Sequence, residues 1–153
     1  MRFFSIFRRK EFFTDEEKQT IIDAVRNAEQ RTSGEVRVFV ESRCRYVNAI
    51  DRAVEIFENL QMQKTELRNA TLVYVAIKDR QLAVFGDEGI HQKVGNEYWA
   101  HEVVKMIKAF NRDNIAEGIR QCVLNIGEAL ATHFPYDRST DKNELPDDIV
   151  FGR

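Results

Sequence analysis

The sequence predicts a three-layer α/β/α sandwich with a mixed central sheet of about four strands. Helix and strand patterns follow each other in the order helix, strand, helix, strand, strand, helix, helix, which places helices on both faces of one sheet. Residues 71–77 are almost continuously apolar, as expected of a central strand that is covered on both faces. A helix-length crossover before this strand predicts parallel pairing with the preceding strand, and the short turn after it predicts a hairpin.

The boundaries of the elements follow from capping signals and apolar periodicity. The first helix is expected at about residues 15–31, because Thr14 and Glu17 have the spacing of a capping box and Gly34 follows the end. Alternation predicts a strand at 36–40, helical spacing predicts a helix around 49–60, and the turn at 78–80 leads into a strand at 81–85. Two more helices are expected at about 97–110 and 115–134, the second with Asn114 and Glu117 as its capping box, and residues 149–151 suggest a short edge strand.

Length and composition indicate an ordinary globular domain. The 153 residues are 43% hydrophobic and 31% charged, and no apolar run approaches the roughly 20 residues that span a bilayer. A net charge of −2 does not favour nucleic acid as a partner. Cys44 and Cys122 lie far apart in no metal-binding pattern, so two reduced thiols and a cytoplasmic location are expected.

The first 13 residues differ in character from the rest of the chain. They mix phenylalanines with Arg8, Arg9 and Lys10, which follow the apolar stretch rather than precede it as in a signal peptide. Such a basic-aromatic segment either docks on a membrane surface or a protein partner, or packs back on its own domain. Residues 14–153, including an acidic tail, are expected to form the single domain.

One edge of the predicted sheet collects oxygen-bearing side chains. If the second strand is parallel to the first and the third runs back, the end of the third strand lies beside the starts of the other two. That edge then holds Glu35, Asn69, Asp87 and Glu88, close to glycines that let backbone carbonyls approach an ion. These residues are therefore candidate ligands of a divalent metal ion.

The tail supplies a second group of oxygen ligands. Its candidate ligands are Asp141, Asn143, Glu144 and Asp147. Carboxylates this close to each other and to Asp87 would repel without a cation, and Ca²⁺ accepts six to eight oxygen ligands in flexible geometry. We therefore expect a hard divalent ion, Ca²⁺ before Mg²⁺, to join the tail to residues 86–89. The alternative is a solvated acidic tail whose Asp141 and Asn143 only form turns.

No catalytic residue can be assigned from sequence. Arg37, Arg68 or Lys64 could bind a phosphate group. Each residue taken singly is more often a surface residue in an ion pair. The sequence contains no P-loop, no nucleophilic cysteine signature and no readable Ser-His-Asp arrangement. The three histidines are too scattered for a zinc site, and Cys122 and Trp99 have the spacing of core residues.

Several short motifs, taken in order, resemble the TPM domain family and most closely its short, stand-alone bacterial members. These are residues 32–37 after the first helix, Thr65 with Arg68 and Asn69 before an apolar strand, residues 86–90, and residues 141–146. The resemblance covers about residues 14–153 and implies an α/β/α sandwich. Family members include proteins described as acid phosphatases and proteins that carry divalent metal.

Two functions from different classes follow from these observations. The first is a metal-binding regulatory or interaction module, with an unidentified protein as the possible partner, in which an ion orders the loops of a binding face. The second is a metal-dependent phosphomonoesterase of the acid-phosphatase kind. The acidic segments favour the module, whereas a cluster of basic side chains at the same edge would favour the enzyme.

Overall fold

A computed structural model describes residues 12–137 and 149–152 of the chain. Within these residues a four-stranded mixed sheet has the strand order β3-β2-β1-β4. The strands are β1 (Glu35–Glu41), β2 (Ala70–Ala76), β3 (Gln81–Gly86) and β4 (Val150–Phe151). β2 and β4 both run parallel to β1, and β3 runs antiparallel to β2. The predicted strand directions and the edge strand near the end of the sequence are therefore confirmed.

The described part of the chain also contains five helices, of which the first precedes β1 and the others lie between the strands. They are α1 (Asp15–Gln30), α2 (Ala49–Asn59), α3 (Glu88–Val94), α4 (Asn96–Asn111) and α5 (Ile115–His133). α1 begins with the predicted capping box, in which the Thr14 side chain accepts from the Glu17 amide and the Glu17 carboxylate accepts from the Thr14 amide. The bounds of the four predicted helices agree with the structure to within one or two residues.

Helices cover both faces of the sheet, as a three-layer sandwich requires. On one face, alternate strand residues such as Val38 and Val73 pack with buried residues of α1, α4 and α5. On the other face, Leu72 and Tyr74 pack with the buried face of α2. Every residue of β2 is buried, which confirms the prediction of a central strand covered on both sides.

Two local predictions are wrong. The predicted capping box of α5 is absent: the Asn114 side chain makes no cap, the Asn114 amide donates to the Ala109 carbonyl at 2.9 Å, and the Glu117 carboxylate accepts from Arg120. The sequence pattern predicts no helix between the strand at 81–85 and the helix at 97–110, but α3 begins in this interval, directly at Glu88. Gly95 then separates α3 from α4 with φ of 80°, a left-handed conformation that glycine adopts without strain.

The described end of the N-terminal segment packs on the domain. The side chain of Phe13 is buried in the larger core, and the ring of Phe12 stacks on Phe151 of β4 with a centroid distance of 6.0 Å. The other residues of the predicted basic-aromatic segment, 1–11, lie outside the described residues. Docking of that segment on a membrane or a partner stays a prediction.

Candidate functional site

The strand register brings the predicted oxygen-bearing residues to one edge of the sheet. Glu35 pairs with Ala70 at the start of the parallel strands, and Thr71 pairs with Gly86 at the end of β3. Asp87, the next residue, donates its backbone N–H to the carbonyl of Ala70 at 2.9 Å. The side chains expected to share this edge therefore do share it, which follows directly from the strand directions.

Asp87 is buried and makes three hydrogen bonds through its carboxylate. Oδ1 accepts from the Glu88 amide at 2.8 Å, so Asp87 is the N-cap of α3. Oδ1 also accepts from Nη2 of Arg68 at 2.8 Å, and Oδ2 accepts from Nε of Arg68 at 2.6 Å. Only one lone-pair direction of the carboxylate, on Oδ2, is left without a partner among these bonds.

The backbone at Arg68 contacts the segment that follows Asp87 and so brings the two side chains together. Arg68 has φ of 51°, a left-handed conformation uncommon for a residue with a side chain. Its carbonyl accepts from the Gly89 amide at 2.8 Å, and a Cβ on Gly89 would lie 2.1 Å from the carbonyl oxygen of Leu67. Glycine is thus required at position 89 by the close approach of two backbone segments. The hydrogen bonds that the Arg68 guanidinium donates to Asp87 raise its pKa above its usual value.

Of the other three described candidate ligands, Asn69 is buried and donates its side-chain amide to Oγ of Ser33 at 3.5 Å, while Glu35 and Glu88 differ in exposure. Glu35 is 2% exposed at the start of β1. The side chain of Glu88 is 64% exposed and lies 3.4 Å from Nη1 of Arg68. Within residues 12–137 and 149–152, no three His, Cys, Asp or Glu side chains form a group that could hold a metal ion. Asp141, Asn143, Glu144 and Asp147 lie outside the described residues, so their part in a metal site stays a prediction.

One flank of the acidic tail lies at this edge of the sheet. On the N-terminal side, Pro135 forms a β-bridge with Thr32, three residues before Glu35. On the C-terminal side, Val150 pairs in parallel with Phe39, the fifth of the seven residues of β1, so this flank lies nearer the opposite edge of the sheet. Residues 138–148, between these flanks, lie outside the described residues.

A cavity of about 550 Å³ lies beside Asp87, along the outer strand β3. Its walls combine apolar side chains with polar groups near the start of α3; the lining includes Ile50, Arg68, Val84, Phe85, Gly86, Asp87, Glu88, His91, Asn96 and Trp99. The indole N–H of Trp99 donates to Nδ1 of His91 at 3.0 Å. In the neutral imidazole the proton is then on Nε2, which makes that atom a hydrogen-bond donor.

Sequence reasoning missed this cavity and the pairing of His91 with Trp99. The spacing of Trp99 predicts a core residue, and it is 8% exposed, but its polar edge is used at the cavity. The signal available in the sequence was Gly95, halfway between the two residues, because a glycine with helical segments on both sides allows them to turn toward each other.

Comparisons with known proteins agree with this architecture. The model of one protein family, described as the TPM domain, matches residues 6–129. The chain belongs to the TPM domain family. This TPM domain is also similar to a solved structure, the NMR structure of BA42 protein from the psychrophilic bacterium Bizionia argentinensis sp. nov.. The two chains are 38% identical, with a TM-score of 0.83, and the match covers 92% of this chain and 96% of the other.

One further comparison and one property of the helices complete these findings. A search of curated proteins found no match to this TPM domain. Among the helices of the described part of the chain, none is long and apolar enough to cross a membrane.

Proposed function

We propose that this TPM domain is a Ca²⁺-binding regulatory or interaction module, in which the ion joins residues 86–89 to the acidic tail. The observation that supports the proposal is the common edge: Asp87, Glu88 and the N-terminal flank of the tail at Pro135 lie where β1 and β2 begin and β3 ends. Two acidic segments at one edge repel each other unless a cation lies between them.

The bonds already made by Asp87 decide how it contributes. Oδ1 accepts two hydrogen bonds and Oδ2 accepts one, so the carboxylate offers a cation one direction while it still caps α3. Glu88 is exposed and turns toward an ion more readily. The Arg68 guanidinium opposes a cation here, so most of the ligand oxygens must come from the tail through Asp141, Asn143, Glu144 and Asp147.

The functional consequence is a metal-dependent rim on the cavity beside β3. Asp87 and Glu88 lie on this rim, opposite the apolar wall that contains Phe85 and Trp99. An ion that orders residues 86–89 and the tail fixes the shape of this rim, and binding to a partner becomes dependent on the metal. This is the behaviour expected of a regulatory module rather than of a metal store.

Calorimetric titration of chelator-treated protein with Ca²⁺, Mg²⁺ and Zn²⁺ tests the proposal. We expect saturable binding of Ca²⁺, weaker binding of Mg²⁺, and binding strongly reduced in Glu88→Gln and in Asp141→Ala. The matched control is Asp15→Ala, whose side chain is 99% exposed at the start of α1. If the wild-type protein releases no heat with any of the three ions, or if the control loses as much affinity as the two ligand variants, the proposal is wrong.

A phosphomonoesterase is the second candidate, and one observation favours it. The cavity beside Asp87 contains the Arg68 guanidinium and the His91 imidazole, groups that bind phosphate and transfer protons in hydrolases. The name of the matching family model also includes the word phosphatase. Turnover of p-nitrophenyl phosphate separates the candidates: an enzyme requires a divalent ion and loses activity in Asp87→Asn, whereas a module shows no turnover above the buffer blank.

A further inference from the structure

A second cavity lies at the opposite edge of the sheet, outside the carboxyl end of β1. It has a volume of about 440 Å³ and is lined by Glu41, Arg43, Arg45, Tyr46 and Arg52. β1 lies between β2 and β4 in the sheet. The helix that follows β1, α2, covers one face, whereas the helix that precedes β4, α5, covers the opposite face. Open α/β sheets commonly bind ligands at such a topological switch point, outside the carboxyl ends of the strands.

The floor of this cavity is a fixed ion pair. Glu41 is 5% exposed and accepts a fork of two hydrogen bonds from Arg52, at 2.9 Å from Nε and 3.0 Å from Nη2. The buried hydroxyl of Tyr74 donates a third hydrogen bond to Glu41 at 2.5 Å. These contacts hold the Arg52 guanidinium in one orientation and neutralise its charge toward the protein interior.

The outer side of the same guanidinium faces a displaceable carboxylate. Nη1 of Arg52 donates to Glu55, and the hydroxyl of Tyr46 donates to the other oxygen of that carboxylate. These two hydrogen bonds lower the pKa of Glu55, the one from Tyr46 contributing most. Because the Glu55 side chain is 41% exposed on a helix surface, it can rotate into water without leaving a buried polar group behind. Tyr46 and Arg52 thus form a position for an oxyanion that an exposed side chain of the protein itself fills.

Further positive charge surrounds this position. Arg43 is 67% exposed and pairs with Asp79 at 2.9 Å, and Asp79 also accepts from the Cys44 amide at 2.8 Å. Arg45 is exposed and forms no ion pair with any residue in the part of the chain that the structure describes. When Glu55 turns away, the guanidinium groups of Arg43, Arg45 and Arg52 line the cavity. Their three positive charges exceed the two negative charges of their partners Glu41 and Asp79.

We propose that this cavity binds the phosphate group of a small phosphorylated molecule, which displaces Glu55 and bonds to Tyr46, Arg52 and Arg45. Guanidinium forks match phosphate oxygens in geometry and charge. The volume exceeds that of a bare phosphate and falls within the range of cavities that hold small organic ligands. This cavity and Asp87 lie at opposite ends of the strands. The test of phosphate binding is therefore independent of the test of the metal site.

Binding of inorganic phosphate and of adenosine monophosphate, followed by ¹H–¹⁵N NMR at low ionic strength, tests the proposal. Shifts should concentrate at residues 41–55, and the nucleotide should bind more tightly than free phosphate if the organic part also enters the cavity. Equal affinity for the two probes assigns a site for phosphate alone, which overturns the claim of a larger ligand. Adenosine without phosphate should produce no shifts in this segment.

Variants of exposed residues make the test specific without disturbing the fold. Glu55→Gln removes the competing charge and should tighten phosphate binding several-fold, whereas Arg45→Gln should weaken it about tenfold. Arg120→Gln is the control: Arg120 pairs with Glu117 on α5, on the opposite face of the sheet from α2, and its replacement should leave affinity unchanged. Weaker or unchanged binding in Glu55→Gln would show that Glu55 does not compete with phosphate and would overturn the proposal. Equal losses in Arg45→Gln and Arg120→Gln would show that phosphate responds only to surface charge and that the site does not exist.

Discussion

Replacing Asp87 with alanine removes the acceptor that caps α3 and the carboxylate that Arg68 holds at 2.6 and 2.8 Å. The lost cap alone costs about 1 kcal/mol, which lowers the Tm of a protein of this size by about 2–4 °C. Loss of the paired charge increases this fall, because Asp87 is only 3% exposed and Arg68 loses two hydrogen bonds. Asp87→Asn should fall less, since asparagine is an equally good N-cap.

Thermal unfolding in excess chelator measures this effect without any contribution from metal. Asp15→Ala is the control, because its 99% exposed side chain lies 4.0 Å from Lys18 and should change the Tm by about 1 °C at most. If Asp87→Ala unfolds at the same temperature as Asp15→Ala, the contacts of Asp87 contribute nothing to the fold. The structural account of this edge would then be wrong.

Three further predictions concern Tyr74, Gly89 and Cys122. Tyr74→Phe removes the buried hydrogen bond to Glu41 and should cost about 1–2 kcal/mol in urea unfolding; no loss would mean that the bond is not formed in solution. Gly89→Ala should cost about 1–3 kcal/mol, because its Cβ would lie 2.1 Å from the Leu67 carbonyl oxygen, and a gain in stability from helix propensity would refute the close approach. Burial and the neighbouring Glu102 raise the pKa of the Cys122 thiol, so the stability that the protonated thiol contributes is complete below the unfolded thiol pKa of about 8.5 and is lost as pH rises further. In urea unfolding, Cys122→Ala should therefore lose less stability at alkaline pH than the wild type. Equal losses in the two proteins would refute this.

The pairing of β1, β2 and β3 and the burial of β2 could be predicted because they depend on local signals. A continuous apolar strand between a crossover and a tight turn has few possible neighbours in a sheet. The same reasoning placed Glu35 and Asp87 at one edge, since strand directions alone decide which ends meet.

The contacts at that edge could not be predicted, because they depend on side-chain and backbone geometry between distant segments. Nothing in the spacing indicates that Arg68 adopts a positive φ and pairs with Asp87, or that α3 starts immediately after the strand. The network of Glu41, Arg52 and Tyr74 was missed for the same reason, because its members are contributed by two strands and a helix. Glu41 in sequence is only a charged residue at the end of a strand.

The central claim is that a cation joins residues 86–91 to residues 139–149 at the edge where β1 begins. Hydrogen exchange of these two segments, followed with and without saturating Ca²⁺, tests it most directly. The claim predicts that Ca²⁺ slows exchange in both segments together while β2 and α5, held by apolar burial, keep the same protection. Identical exchange of the two segments in both conditions would contradict the claim and leave the tail as a solvated acidic segment.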